Sequence, residues 1–449
     1  MAETILVSGG RVIDPSRGID AVGDILIADG RIIGASTGIA AISAKADLII
    51  DARGMVVCPG FIDLHCHLRE PGAAKKETTA TGTRAAAKGG FTTVCAMPNT
   101  KPPIDSGAMV ELVREKAAKS GVVRVLPIGC ITKGRAGLEV VDMKELADAG
   151  VVALSDDGSS VPEYKVLRAA LETGAACGLP IIEHCEDADL SAGGVMNEGE
   201  LAARLGLKGM PETAEEIVVA RDLALSEMTG AHVHIAHVST YGSVYLIRRA
   251  KASRYAVTAE VTPHHLTITE ERVAAPSQGT KADTNAKVNP PLRKERDVQA
   301  LVAALKEGVI DAIATDHAPH TRADKSGDFA SAAFGISGLE TVLGSVMSLV
   351  HRGEIDLPTL IARLTTGPAQ TLPRIRELAG GEVGTLKVGA PADVTIFDPD
   401  ATWVVDPAQF VSKGKNTPLG GEMLKGKVMA TIYGGRIVYK EDRLVVKAV

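Results

Sequence analysis

The chain has 449 residues, 45% of them hydrophobic and 23% charged, with 47 glycines and 22 prolines. This is the profile of a loop-rich α/β protein large enough for two structural units, and it excludes a disordered chain. Lysine and arginine total 49 against 55 acidic residues, with no long basic run, so the charge balance argues against nucleic-acid or anionic-membrane partners and for a small-molecule substrate.

The opening "MAETILVSGG" lacks the basic segment and apolar core of a leader, and no stretch offers the roughly 18 apolar residues needed to span a bilayer. The expected compartment is the cytoplasm, with no membrane contact. Cys58, Cys66, Cys95, Cys130, Cys177 and Cys185 are scattered without C-x-x-C spacing, as expected of buried thiols in a reducing compartment. Cys66 stands between two histidines and should point away from them, because side chains alternate along a strand.

In chain order, residues 1–56 carry short strand-like runs broken by Gly and Asp ("TILVSGGRVID", "GDILIADGRIIGAS", "DLIIDARGMVV"), which predict a hairpin-rich β unit. From Cys58 the texture changes. Eight short apolar runs follow: "GFIDLHCH", "TTVCAMP", "VRVLPIGCI", "VVALSDD", "PIIEHCE", "HVHIAHVS", "YAVTAEVTP" and "DAIATDHAP". Amphipathic stretches such as "SGAMVELVREKAAKSG", "EEIVVARDLALSEMTG", "YGSVYLIRRAKAS" and "KERDVQALVAALKEG" lie between them. Eight strands interleaved with helices predict an α/β fold, a (β/α)8 TIM-type barrel over residues 57–379. After about residue 380 the texture returns to β hairpins, "GTLKVGAPADVTIFDP" and "VMATIYGGRIVYKEDRLVV". Segments 1–56 and 380–449 are expected to build one small β-sandwich-like domain beside the barrel.

In such a barrel, reactive groups gather where strands end. His65 and His67 are two apart on the first strand, so both can face one cation. Asp157 closes the fourth strand and His184 ends "LPIIEHCED". His237 ends "VHIAHVST" on the face of Val233 and Ile235, and Asp316 ends "VIDAIATDHAPH" on the face of Ala312 and Ala314. Singly, each has a bland alternative: an aspartate that caps the next helix, or a histidine bonded to a backbone carbonyl. Together, four imidazoles and two carboxylates suit a borderline metal such as zinc, and six ligands hold two ions if one carboxylate bridges. His232 and His234 have the parity opposite to His237 and are expected to pack or face solvent. His264, His265 and His317 are not assigned as ligands.

Two Lewis-acidic ions would lower the pKa of a shared water and polarise a carbonyl, and Asp316 would shuttle the proton. Arg69, Asn99 in "MPNT" and His320 suit a substrate carboxylate, the arginine bidentately. Alone, Arg69 reads equally as a surface residue and Asn99 as a turn former.

The segments "DLHCHLREPG" (63–72), "MPNTKPP" (97–103), "EHCED" (183–187), "HIAHVST" (234–240), "VTPHHL" (261–266), "KVNPPLR" (287–293) and "ATDHAPH" (314–320) together resemble the longer bacterial form of dihydroorotase, in the amidohydrolase superfamily. The resemblance implies reversible, zinc-dependent hydrolysis of dihydroorotate to N-carbamoyl-L-aspartate in pyrimidine synthesis. It implies His65, His67, His184, His237 and Asp316 as metal ligands, with Asp316 as general acid and base. Arg69, Asn99 and His320 would bind the substrate carboxylate and Asn289 its ring, with the backbone near Phe334 and Gly335 in "AFGISGLET" against the ring. It also implies a homodimer and allows a complex with aspartate transcarbamoylase.

One departure matters. Many relatives bridge two metals with a carboxylated lysine, whereas "VALSDDGSS" offers none, and spacing favours Asp157 over Asp156 as the bridge. At least one zinc is expected, and two if Asp157 bridges. The competing readings are a hydantoinase or allantoinase, which usually presents that lysine, and a non-catalytic subunit of aspartate transcarbamoylase, which typically lacks the metal histidines.

Overall fold

The computed structural model describes residues 4–37, 46–274 and 282–448; of the expected terminal unit, residues 1–3, 38–45 and 449 lie outside the described residues. The chain opens with β1 (Ile5–Asp14), β2 (Ile19–Ala28), β3 (Arg31–Thr37), β4 (Leu48–Asp51) and β5 (Val56–Pro59). Next come β6 (Phe61–Cys66), β7 (Phe91–Ala96), β8 (Arg124–Pro127), β9 (Leu154–Ser155) and β10 (Ile181–Glu183). A small side pair, β11 (Met196–Asn197) and β12 (Gly209–Met210), precedes β13 (Val233–Ile235), β14 (Val257–Val261) and β15 (Ala312–Ile313). The chain ends with β16 (Val394–Val404), β17 (Met423–Tyr433), β18 (Arg436–Lys440) and β19 (Val446–Ala448).

Each of the eight apolar runs holds a strand, shorter than the run itself. The strands pair in parallel, β6–β7–β8 in one sheet and β9–β10–β13–β14–β15 in another. Two isolated parallel bridges join these sheets: Gly129, just past β8, to Leu154 of β9, and Cys66 of β6 to His317, beyond β15. Every residue of β6 and β7 is buried, which is why these runs are nearly continuously apolar: parallel strands are covered on both faces.

Helices Gly107–Ser120, Thr213–Thr229, Tyr241–Ala252 and Glu295–Glu307 lie on the four amphipathic stretches. The Thr240 side chain accepts from the Ser243 N–H and so starts its helix three residues after His237. Phe61, Phe91, Ile181, Val233, Val257 and Ile313 pack with helix residues such as Leu171, Ile247 and Leu301. A separate core gathers Ile62, Leu64, Cys95, Leu126, Ile182 and Ala312 from strands of both parallel sheets.

Strands from the two ends of the chain build one nine-stranded sheet of order β18–β17–β16–β5–β1–β2–β3, with β4 on β1 and β19 on β4. The sheet curls: Ile25 and Ile27 of β2 share a core with Met429 and Ile432 of β17, and Gly435 at φ +76 sits where a Cβ would lie 2.9 Å from Gly30. It is a single sheet turned on itself, in place of the two layers of a sandwich. Three expectations need correcting. β5 pairs with β1 and β16, so the sheet runs past residue 56 to Pro59. Residues 384–393 form no strand of their own, and "GTLKVGAPADVTIFDP" is therefore one strand and no hairpin. Loop residues between β16 and β17 leave the sheet altogether: Asn416 bonds the backbone of Ala318, His320 and Gly335.

The cysteines carry free thiols, all buried but the half-buried Cys177. Cys66 donates to the Cys95 carbonyl and packs in the core against the helices. Among the described residues no helix is long and apolar enough to cross a membrane.

Candidate active site

The C-terminal ends of the parallel strands bring His65, His67, Asp157, His184, His237 and Asp316 together, all buried. Asp157 lies at the centre. Its Oδ1 is 3.3 Å from His65 Nε2, 3.6 Å from His184 Nδ1 and 3.7 Å from His237 Nε2, while its Oδ2 is 3.6 Å from His67 Nε2. Asp316 Oδ1 lies 3.0 Å from His67 Nε2 and 3.6 Å from His65 Nε2. Asp156 is engaged elsewhere, accepting from the Ile131 and Thr132 N–H groups and the Thr132 hydroxyl.

The backbone at the strand ends corrects the alternation argument. β13 stops at Ile235 and β15 at Ile313; His237 and Asp316 then take φ values of +31° and +43°, and Arg69 takes +58°. Positive φ in a residue with a Cβ is strained by about 1–3 kcal/mol and clusters at functional sites. Val233 and Ile235 pack against the helices, and the turned backbone aims His237 the other way, at Asp157. His234, set aside for its parity, is fully buried, with Nδ1 on Thr258 Oγ1 at 2.8 Å and Nε2 3.1 Å from Glu260 Oε2.

Whether these groups fit a cation follows from what holds the far side of each ring. His65 Nδ1 meets Glu260 Oε1 at 2.8 Å. His67 Nδ1 meets Asn99 Oδ1 at 2.9 Å, the Asn99 amide nitrogen donating to Asp157 Oδ2 at 3.2 Å. His184 Nε2 meets Glu186 Oε2 at 2.8 Å. Each partner is an acceptor, so these ring nitrogens carry the protons and the opposite nitrogens present lone pairs. Those lone pairs face carboxylate oxygens, or, for His184 Nδ1, the His237 Nε2 at 2.9 Å. Acceptor facing acceptor is the arrangement a metal ion satisfies, and His65 Nε2, buried without a hydrogen-bond partner, marks the position. Two sets, His65–Asp157–His237 and His65–His67–Asp316, each offer ligand atoms within 4.8 Å of one another.

Where no cation sits between them, protons take its place: against their burial, Asp157 and Glu260 raise His65, and Asp157 and Glu186 push His184 up to about 10. With the rings so charged, Asp316 beside His67 and His65 is held well below the usual carboxylate range against its own burial. Asp157 is likewise held far down against its burial by His65, His184 and His237. Both are charged at neutral pH.

Beside this cluster Arg69 donates weakly to the Pro319 carbonyl at 3.4 Å, its Nη2 lies 3.4 Å from His320 Nε2, and among the described residues no carboxylate pairs with it. Burial and the charges of Arg69 and Lys76 push His320 down to about 3, so its ring is neutral. Asn289 donates to Glu186 Oε2 at 2.7 Å, at the edge of the cluster. Three further sequence candidates have partners within the protein. Asn99 is committed to His67 and Asp157. Gly335 at φ +135 donates its N–H to the Lys287 carbonyl at 2.9 Å and accepts from Asn416, while the Phe334 ring lies 4.3 Å from Lys287 Nζ. Glu260, Glu186, Lys76 and Asn416 were not singled out from sequence: each reaches the site through a pairing distant in the chain or gives no periodic signal.

The family model described as dihydro-orotase-like matches residues 54–243. A dihydroorotase of Anaeromyxobacter dehalogenans (strain 2CP-1 / ATCC BAA-258) is 49% identical over 448 residues, covering 99% of each chain. One of Pelotomaculum thermopropionicum is 49% identical over 442 residues, covering 98% of this chain and 99% of the relative. Among solved structures, the L-hydantoinase (dihydropyrimidinase) of Arthrobacter aurescens superposes with a TM-score of 0.85 at 26% identity, over 99% of this chain and 98% of that one. The dihydropyrimidinase of Brevibacillus agri NCHU1002, at TM-score 0.82 and 23% identity, covers 99% of this chain and 97% of its own and shares the mixed α/β fold. With nearly half of its residues shared along almost its entire length, the chain belongs to the dihydroorotase family.

Proposed function

We propose that the chain hydrolyses (S)-dihydroorotate reversibly to N-carbamoyl-L-aspartate, in pyrimidine (UMP) biosynthesis. The observation that carries the reading is one juxtaposition: imidazoles and carboxylates whose lone pairs face one another, next to a guanidinium that has no acid of its own. We read the eight parallel strands as a closed (β/α)8 barrel over residues 57–379, supported by the bridges from Gly129 to Leu154 and from Cys66 to His317.

His65, His67, Asp157, His184, His237 and Asp316 would hold zinc, as two ions, with Asp157 central among the residues that hold them. Zinc there supplies Lewis acidity, polarising the ring carbonyl and lowering the pKa of nearby water. Asp316, kept ionised, takes a proton from the attacking water and returns it to the ring nitrogen as the amide bond breaks; ring closure runs the same transfers backwards. Arg69 offers a fork of donors to the substrate carboxylate, beside His320. Asn99 keeps His67 in its productive tautomer, while Asn289 and the loop of Phe334 and Gly335 face the ring. A cavity of about 1080 Å³ opens at His320, lined by Arg272, Arg322, Lys325, Lys413 and Lys415 against the single acid Asp283. Such a lining draws an anionic substrate inward. A homodimer and an aspartate transcarbamoylase complex rest on the family alone; light scattering with and without the transcarbamoylase tests both.

The deciding experiment follows loss of L-dihydroorotate by absorbance, with zinc measured on the same sample and hydantoin and allantoin as controls. Turnover of dihydroorotate alone, with one or two zinc per chain, is expected. Zinc-loaded protein that opens hydantoin or allantoin and leaves dihydroorotate intact overturns the assignment.

A further inference from the structure

We propose that Lys76 is a positioning residue for the substrate carboxylate, acting through His320; this rests on the dihydroorotase reading above. Lys76 Nζ lies 3.2 Å from His320 Nδ1, and Arg69 Nη2 lies 3.4 Å from His320 Nε2. Ammonium and guanidinium are both donors only, and a neutral ring has one lone pair to offer them; the shorter contact, from Lys76, takes it at Nδ1, while Arg69 keeps the Pro319 carbonyl as an acceptor. The neutral ring then carries its proton on Nε2. The opposite tautomer would aim Nδ1–H at the ammonium, and the nearest carboxylate oxygen, Asp324 Oδ2, is 3.8 Å away, too far to accept it.

With Nε2 protonated, two donors, His320 Nε2–H and the Arg69 guanidinium, stand side by side with no acceptor between them. A carboxylate supplies the missing oxygens to both at once. The backbone that carries the ring is anchored, because the His320 main-chain N–H donates to Asn416 Oδ1 at 2.9 Å. Lys76 is itself set by the following loop: its Nζ is 3.5 Å from Asp324 Oδ1, and Asp324 Oδ2 accepts from the Thr321 N–H at 2.8 Å and hydroxyl at 2.6 Å. The Asp324 carbonyl in turn accepts from the Ala333 N–H at 2.9 Å, so Lys76 also contacts the segment that leads to Phe334 and Gly335.

Lys76→Met in the zinc-loaded, full-length enzyme should raise KM for dihydroorotate roughly tenfold, the usual effect of losing one charge-assisted hydrogen bond, while kcat stays within about twofold and zinc content holds. Lys76→Arg, still a donor, should recover most of the loss. Nitrogen-15 histidine NMR, with His320→Gln to identify the resonances, should show the Nε2–H tautomer in the unaltered protein and its loss in Lys76→Met. An Nδ1–H tautomer in the unaltered protein overturns the inference. So does an unchanged KM in Lys76→Met, or a joint fall of kcat and zinc that marks a merely structural role. If the unaltered enzyme leaves dihydroorotate intact, the functional reading fails by itself, and the NMR spectra still decide whether Lys76 sets the His320 proton.

Discussion

His65 and His67 can be set against His264 and His265, two closely spaced pairs of similarly buried histidines. In the first pair, Glu260 and Asn99 hold one nitrogen of each ring, and the other nitrogen looks across at Asp157 or Asp316. In the second, His265 has both nitrogens occupied, by Thr262 Oγ1 at 2.8 Å and the Pro290 carbonyl at 3.1 Å, and His264 Nε2 has no partner. Burial, with the Arg293 guanidinium nearby, pushes His265 down to about 3. The two pairs thus differ in what lies across each ring, a carboxylate in the first and, among the described residues, none in the second, and burial by itself does not separate them.

The comparison breaks most visibly at the acids. Asp316→Asn should cost about a thousandfold in turnover, within the range for losing a general base, yet keep most of its zinc; near-normal turnover removes Asp316 from proton transfer. Glu260→Gln should weaken zinc binding about 10–100-fold, as loss of a carboxylate behind a ligand histidine does, and a competition titration showing unaltered affinity would dissolve the distinction between the two pairs. Arg69→Met should raise KM roughly tenfold or more with zinc content intact, since it removes a charged partner of substrate and no ligand; steady-state kinetics beside metal analysis check it.

The smallest effect belongs to the second pair. His265 has a folded pKa of about 3 against an ordinary 6.5, so below about pH 6.5 the unfolded chain takes up a proton that the folded chain refuses. Stability is therefore full above that pH and falls as pH drops toward 3, by up to about 1.4 kcal/mol per pH unit from this one group. Urea midpoints of zinc-free protein at about pH 7 and about pH 5 should differ less for His265→Gln than for the parent. Equal differences would mean that His265 does not titrate this way.

The strand positions were legible because parallel strands buried on both faces must be short apolar runs, and helices between them must be amphipathic. Strand ends were not, since each run continues in sequence past the point where the backbone turns. His237 shows the cost: alternation put it on the face of Val233 and Ile235, and its positive φ sends it the other way. Among the carboxylates, spacing singled out Asp157, and the Thr132 loop that engages Asp156 explains the choice. What no local pattern could reveal are partners brought from afar: Glu260 lies 195 positions from His65, and Asn416 96 positions from His320. Asn416 stands in the segment assigned by sequence to the terminal β unit, yet it bonds the backbone of Ala318, His320 and Gly335.

Asp157 carries one more consequence. A carboxylated lysine exists only after dissolved carbon dioxide has added to an amine, a reversible step that lies outside the gene's control. An aspartate at the end of β9 is complete as soon as the chain is translated. On the proposed function, the central carboxylate is inherited with the chain, and the readiness of the site would answer to metal supply and not to bicarbonate.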